Sequence, residues 1–356
     1  MSIENILNLI RPEIRKIEQY KSAKNNNFSG NLISMSANEN PFCFKENENY
    51  NRYPELLSKE LIERMAKIYG VLPENLIYGR GSSEIIELLI KVFCTPYKDS
   101  AIICSPTFIM YEKILEISSV NCKNIKLNDN FQLNVEKIIE EGKDKNTKLI
   151  IIPNPNAPLG HFMNKNDLLK IIDELQNDCY IVIDEAYIEF TDKESYIKYI
   201  NKYDNICILR TLSKYYGLAG LRIGSFIGNK EIRNIISRVL PPYSTPAVCY
   251  NIALEALEDK NQKFFIKNKN TIIEEREKIY KKLKELPFIE NIYPSETNFI
   301  LFTSKNRDEI INYLANNGIL IRPQESEIKN SARISIGSPE DNLKLLNLLD
   351  TVIKGL

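Results

Sequence analysis

The middle of the chain alternates short apolar, β-branched runs with amphipathic helical stretches, and that rhythm restricts the fold more than any other feature. Candidate strands lie at residues 101–104, 121–127, 148–153, 180–184, 205–210 and 223–228. Between them, apolar residues recur at helical spacing over 83–93, 107–117, 134–141 and 164–176. Strands that alternate with helices of this length build βαβ units, and so a mainly parallel sheet with helices on both faces. From about 247 to 286 a long charged stretch is helical without strand signals and reads as a connector between domains. After it come strands at 298–302, 319–321 and 332–336 and helices at 307–316 and 339–353. A chain of 356 residues exceeds what one core usually serves. The expected architecture is therefore an α/β large domain of three layers over residues 51–260 and a smaller α+β C-terminal domain over 261–356. Residues 1–50, Asn-rich and irregular (NNNFSGN, KENENYN), read as an N-terminal arm over the surface.

Composition removes several chemistries. Lys+Arg and Asp+Glu balance at 47 each, so no basic excess marks a nucleic-acid partner. The single histidine, His161, leaves no two-histidine metal motif and no triad with a second histidine, and no metal is expected. Seven cysteines, odd in number and without a C-x-x-C pair, suggest neither a disulfide framework nor a zinc ribbon. No run approaches the roughly 20 apolar residues of a membrane span, and the charged start MSIENILNLIRPEIRK lacks the apolar region of a signal peptide. A cytoplasmic protein without a membrane partner is expected. If it is an enzyme, its acid and base are Lys, Asp, Glu, Tyr or a cofactor.

In open α/β sheets ligands bind beyond the carboxyl ends of the strands, and four segments there carry candidate chemistry. YGRGSSE at 78–84 runs from a glycine turn into a helix, with Ser82 or Ser83 as a candidate N-cap. Gly81 and Ser82 would offer backbone N–H groups and the helix dipole to a phosphate. NPNAPLG at 154–160 follows a strand with a rigid loop that presents Asn156. YIVIDEAY at 180–187 ends an apolar strand in Asp184, a carboxylate whose burial asks for a cation, with Tyr187 three residues on. LRTLSKYYGLAGLRIG at 209–224 sets Lys214 beside Ser213 and follows it, eight positions later, with Arg222. Gly217 and Gly220 would permit close backbone approach, and Ser213 with Arg222 could grip a phosphate. Each of the first three segments, taken singly, reads equally as a plain turn or strand end.

Together they describe one cofactor. Pyridoxal phosphate needs a lysine to hold it, a carboxylate to keep its ring nitrogen protonated, a donor to its phenolate and a cradle for its phosphate. Lys214, Asp184, Tyr187 and the set Gly81, Ser82, Ser83, Ser213 and Arg222 fill those roles in turn.

The chain resembles the aspartate-aminotransferase fold family, pyridoxal-phosphate transferases of fold type I, and within it the histidinol-phosphate aminotransferases. The resemblance runs through SANENPF at 36–42, NRYPE at 51–55, DEAYIEF at 184–190, RTLSK at 210–214 and ARISIG at 332–337. It implies that Lys214 holds the cofactor and moves the substrate's proton, that Asp184 pairs with the ring nitrogen, that Tyr187 donates to O3′, and that Phe108 stacks on the ring. It further implies that Tyr53 joins the phosphate site of a neighbouring subunit, so that a homodimer shares its active sites. Tyr20, Tyr243, Arg322 and Arg333 match positions that receive the phosphorylated substrate and the carboxylates of glutamate and 2-oxoglutarate. Two departures stand out. The family's Asn-Asn-Pro-Thr-Gly is here Asn156-Ala-Pro-Leu-Gly160, leaving O3′ to Tyr187 alone or with Asn156, and the loop at 241–246 (PPYSTP) is short. The best single substrate is histidinol phosphate. Decarboxylation of phosphothreonine or phosphoserine, and transamination of a three-carbon ketose phosphate such as dihydroxyacetone phosphate, are the alternatives.

Overall fold

The computed structural model describes residues 3–20, 35–45, 48–324 and 328–352. Seven strands, β1 (Leu76–Arg80), β2 (Ser100–Ser105), β3 (Asn121–Lys126), β4 (Thr147–Pro153), β5 (Tyr180–Asp184), β6 (Ile206–Thr211) and β7 (Ile223–Gly228), form one sheet in the order β1-β7-β6-β5-β4-β2-β3. Strands β6, β5, β4, β2 and β3 run parallel, while β7 is antiparallel to both its neighbours. The link from β6 to β7 holds no α-helix, and parallel pairing usually needs such a crossover. The six predicted strands of this sheet are present. Strand β1 was not predicted, because its apolar run is only Leu76, Ile77 and Tyr78 before a glycine.

Helices cover both faces. They are α1 (Ile3–Leu9), α2 (Pro12–Arg15), α3 (Lys59–Tyr69), α4 (Ser82–Phe93), α5 (Met110–Ile117), α6 (Val135–Gly142), α7 (Lys165–Glu174) and α8 (Lys230–Val239). The β5 alternation shows how the layers form: Ile181 and Ile183 join a core with Met65 of α3, Ile138 of α6 and Ile171 of α7. Tyr180 and Val182 point the other way, to Ile85 of α4, Leu115 of α5 and Ile236 of α8.

The expectation of an irregular arm over 1–50 differs from what the first residues do. Ile6, Ile10 and Ile14, spaced four apart, are buried by α1, α2 and their junction in the α4-side core. Residues 25–31, the NNNFSGN stretch, lie outside the described residues, as do residues 46–47 of KENENYN.

The predicted connector is two helices, α9 (Ala247–Ala256) and α10 (Gln262–Glu285). Near its start α10 buries Phe265 in the α3-side core, and near its end Ile279 and Leu283 enter a second core. That second core packs against an antiparallel sheet of β8 (Asn291–Tyr293), β9 (Phe299–Thr303), β10 (Arg322–Gln324) and β11 (Ser331–Ser335), ordered β10-β11-β9-β8. Helices α11 (Arg307–Asn316) and α12 (Pro339–Val352) cover it. The strand expected at 319–321 begins instead at Arg322, and β8 was not predicted. Among the described residues no helix is long and apolar enough to cross a membrane.

Candidate active site

The carboxyl ends of β4, β5 and β6 and the start of α4 surround a cavity of about 190 Å³. Nine of the predicted residues line it: Gly81, Ser82, Ser83, Phe108, Asp184, Tyr187, Ser213, Lys214 and Arg222. They come from segments far apart in the chain, joined because the parallel strands end on one side.

The anion cradle is built by close backbone approach. No side chain caps α4: Gly81 occupies the N-cap with φ 81°, and Ser82 and Ser83 are inside the helix, not at its cap. Glu84 turns back instead to the Arg80 amide and guanidinium, at 2.6 and 2.7 Å. The first-turn N–H groups are thus left to face the cavity. A Cβ on Gly81 would sit 2.7 Å from Arg222 Nη2, and one on Gly224 only 2.2 Å from the Ser82 nitrogen. Gly224 pairs with Thr211 across β6 and β7, so it is β7 that approaches the helix start. Close approach therefore falls to Gly81 and Gly224. Around Gly217 and Gly220, where it was expected, there is open space.

Asp184 ends β5 with its carboxylate buried. Oδ2 accepts a 2.8 Å hydrogen bond from the Tyr111 hydroxyl, and Oδ1 accepts one of 3.1 Å from the Ala186 amide. Burial pushes its pKa up to about 6, against the pull of those two donors and of the Lys214 charge. A carboxylate held this way is set to meet a cation. Lys214 Nζ lies 5.3 Å from the centre of the Tyr187 ring, which meets Phe299 edge-on at 5.2 Å.

Arg333 continues that line, its guanidinium carbon 5.1 Å from the Phe299 ring centre. Arg322 and Arg333 are direct cross-strand partners in β10 and β11. With Thr107, Phe108, Ala157 and Gln324 they line a smaller cavity of about 40 Å³ that shares Phe108 and Ala157 with the larger one. Burial, together with the facing Arg322 charge, lowers the pKa of Arg333 against the opposing influence of Tyr187.

Some predicted residues are elsewhere. Asn156 is buried but lines neither cavity: its Nδ2 donates to the Pro106 carbonyl at 3.1 Å and its Oδ1 accepts from the Leu159 amide at 3.2 Å, which commits the side chain to shaping the loop. His161 serves that loop too, accepting from the Asn156 amide through its carbonyl and bonding Phe131 through its ring at 2.7 Å. Tyr20, Tyr53 and Tyr243 form an aromatic cluster outside both cavities of their own chain. Tyr53 stacks on Tyr243 at 4.8 Å, and Tyr20 meets Tyr243 edge-on at 6.1 Å.

Among the polar residues that line the larger cavity, Tyr111 and Thr211 escaped the sequence reading. Tyr111, in the first turn of α5, is three positions after Phe108, which precedes the helix, and their rings meet edge-on at 5.5 Å.

The residues fit pyridoxal phosphate: a cradle with no room for a Cβ and an uncapped helix start suit its phosphate, and the desolvated Asp184 suits a ring cation. Comparison with known proteins agrees. Residues 19–349 match the family model for aminotransferase class I and II. A histidinol-phosphate aminotransferase of Francisella philomiragia is 36% identical over 345 residues, covering 96% of this chain and 94% of its own. The crystal structure of the histidinol-phosphate aminotransferase from Clostridium acetobutylicum superposes with a TM-score of 0.78 at 26% identity, over 86% of this chain and 92% of that one. The enzyme from Sinorhizobium meliloti, solved with pyridoxal-5′-phosphate, gives 0.78 at 21% identity over 86% and 84%. With these findings added to the geometry, the chain belongs to the class I and II aminotransferases and is a pyridoxal-phosphate-dependent transaminase.

Proposed function

We propose that the enzyme moves an amino group between glutamate/2-oxoglutarate and a small phosphorylated substrate, with histidinol phosphate and imidazole acetol phosphate as that pair. The observation that carries the anionic part of this reading is the Arg322 and Arg333 pair. Like charges directly opposite in a sheet are unfavourable, and an anion between them turns repulsion into two charge-assisted contacts. The relatives named histidinol-phosphate aminotransferase favour that substrate over a three-carbon ketose phosphate or a phosphorylated amino acid bound for decarboxylation.

In this reading pyridoxal phosphate, when bound, supplies the electron sink that makes the substrate Cα proton removable. Lys214 would hold the cofactor covalently and would carry the proton that leaves Cα. Asp184 keeps a positive charge on the ring nitrogen. Tyr187 donates to O3′, and the Gly81–Ser83 amides, Ser213 and Arg222 hold the phosphate. Phe108 covers the ring. Arg322 and Arg333, with Tyr20 and Tyr243, receive the substrate's anionic groups, and Tyr53 of a second copy joins the cofactor's phosphate site. Helix α9 supports that copy: it carries Val248 and Ile252, four residues apart and each 45% exposed, as an apolar pair on the surface of the single chain. Residues 51–260 form the cofactor domain, 261–356 the smaller domain, and the setting is cytoplasmic.

A half-reaction screen tests the proposal. Glutamate should bleach the yellow of the cofactor-loaded enzyme, and imidazole acetol phosphate should restore it. Carbon dioxide release from phosphothreonine or phosphoserine, without bleaching by glutamate, would replace transamination by decarboxylation. Recovery of colour with dihydroxyacetone phosphate alone would change the substrate.

A further inference from the structure

Directly behind the cofactor pocket the sheet carries a buried cation that the chemistry above does not use. Alternate residues of a strand face opposite sides, so while Thr211 lines the pocket, Arg210 points into the other layer. There its Nη1 lies 3.4 Å from Glu185 and 3.7 Å from Glu189, and its guanidinium carbon lies 5.1 Å from the centre of the Tyr69 ring of α3. Glu185 is fixed in turn by the Ser195 hydroxyl and the Tyr196 amide, both at 2.6 Å. Glu185 follows Asp184 directly, and Glu185 and Glu189 lie two residues to either side of Tyr187. Arg210 itself is three residues before Ser213 and four before Lys214. One side chain therefore ties the turn that presents Asp184 and Tyr187 to the strand end that presents Ser213 and Lys214.

The arrangement is an expensive way to fill a core. One cation faces two buried carboxylates, and Arg210 Nε and Glu189 Oε1 are buried without a hydrogen-bond partner among the described residues. Well-packed apolar side chains commonly replace such a buried triad with no loss of stability, and polar groups left incompletely satisfied in a native core call for a reason. Stability alone does not supply one here.

We propose that Arg210 is a positioning residue for transamination, holding the Asp184–Tyr187 turn in register with Lys214 from the back of the sheet. The proposal rests on the reading of Lys214 as the attachment residue. Mapping the borohydride-fixed cofactor of the wild-type protein to a Lys214 peptide tests that reading independently of Arg210.

The experiment separates position from stability with two variants. Arg210→Met leaves two unpaired carboxylates and should lower Tm. Arg210→Met combined with Glu185→Gln and Glu189→Gln removes all three charges and should recover Tm. Both should attach pyridoxal phosphate to Lys214 more slowly than wild type and lose kcat by about 100-fold, the scale of a misplacement of about 1 Å at the reacting groups, with the KM for glutamate changed by less than about threefold. A combined variant that regains both Tm and wild-type kcat overturns the proposal. Should that variant not fold, Arg210→Lys decides, since it keeps the charge but not the planar fork: slower attachment and lower kcat at an unchanged Tm support positioning, and wild-type values for both overturn it.

Discussion

The Tyr111 hydroxyl donates a 2.8 Å hydrogen bond to Oδ2 of Asp184, and both side chains are buried. That contact links the first turn of α5 to the end of β5 and holds the carboxylate that lines the larger cavity. The Asp184 pKa of about 6 is a balance between burial, which favours the neutral acid, and two donors and a lysine, which favour the anion.

Removal of Tyr111's hydroxyl should upset that balance. Tyr111→Phe leaves Oδ2 short of a donor, a loss of about 1–3 kcal/mol for a buried acceptor, and raises the Asp184 pKa further. Pyridoxal phosphate should bind the cofactor-free variant roughly 10- to 100-fold more weakly near neutral pH. Part of the loss should return at pH 9, where Asp184 is ionised regardless. Absorbance titration measures both, and equal affinity at neutral pH would show that the bond does not matter.

Asp184 should also leave a mark on stability in the absence of cofactor. Its native pKa is raised, so the folded protein binds the proton more tightly than the unfolded chain does. The resulting stabilisation is complete below about pH 4 and is lost as pH rises through about 6. Compared with Asp184→Asn, which does not titrate, cofactor-free wild type should lose on the order of 3 kcal/mol between pH 4 and 7. Urea denaturation of the two proteins across that range checks it, and a pH-independent difference would refute the desolvated carboxylate.

Gly224 offers a purely steric test. The added methyl of Gly224→Ala would lie 2.2 Å from the Ser82 nitrogen and 2.4 Å from the Gly81 carbonyl carbon, so β7 and the start of α4 must part. Overpacking of this kind costs about 1–3 kcal/mol, and here it falls on the proposed phosphate cradle. The variant should bind pyridoxal phosphate at least about tenfold more weakly, while pyridoxal without the phosphate loses less. Equal losses for the two would mean that the cradle does not hold the phosphate.

The facing arginines predict a trade between stability and function. Arg322→Gln removes one of two like charges that are cross-strand partners, and the substrate-free protein should gain up to about 1 kcal/mol. The same change should raise the KM for the phosphorylated substrate by about tenfold or more. Thermal melts and steady-state kinetics read the two effects, and an unchanged KM would remove Arg322 from the anion site.

Much of the fold and of the site was legible in the sequence because the signals are local. The β-branched runs alternate with helical spacing, which gives a mainly parallel sheet, and β5 and β6 end in or just before Asp184 and Lys214, where such sheets bind ligands. Ile6, Ile10 and Ile14 were also readable, since a spacing of four is the signature of a buried helical face, although Asn-rich composition nearby hid it. What only the tertiary structure decided depends on which distant segments touch. The register of β6 against β7 gives close approach to Gly224 rather than Gly217 or Gly220, and the pairing of β10 with β11 sets Arg322 opposite Arg333. Local hydrogen bonds draw Asn156 into its own loop, the packing of α5 brings Tyr111 to Asp184, and Tyr20, Tyr53 and Tyr243 gather with one another instead of with Lys214. Periodicity specifies which face of an element a residue occupies, but the partner across that face follows from strand order and register, which long-range contacts alone establish.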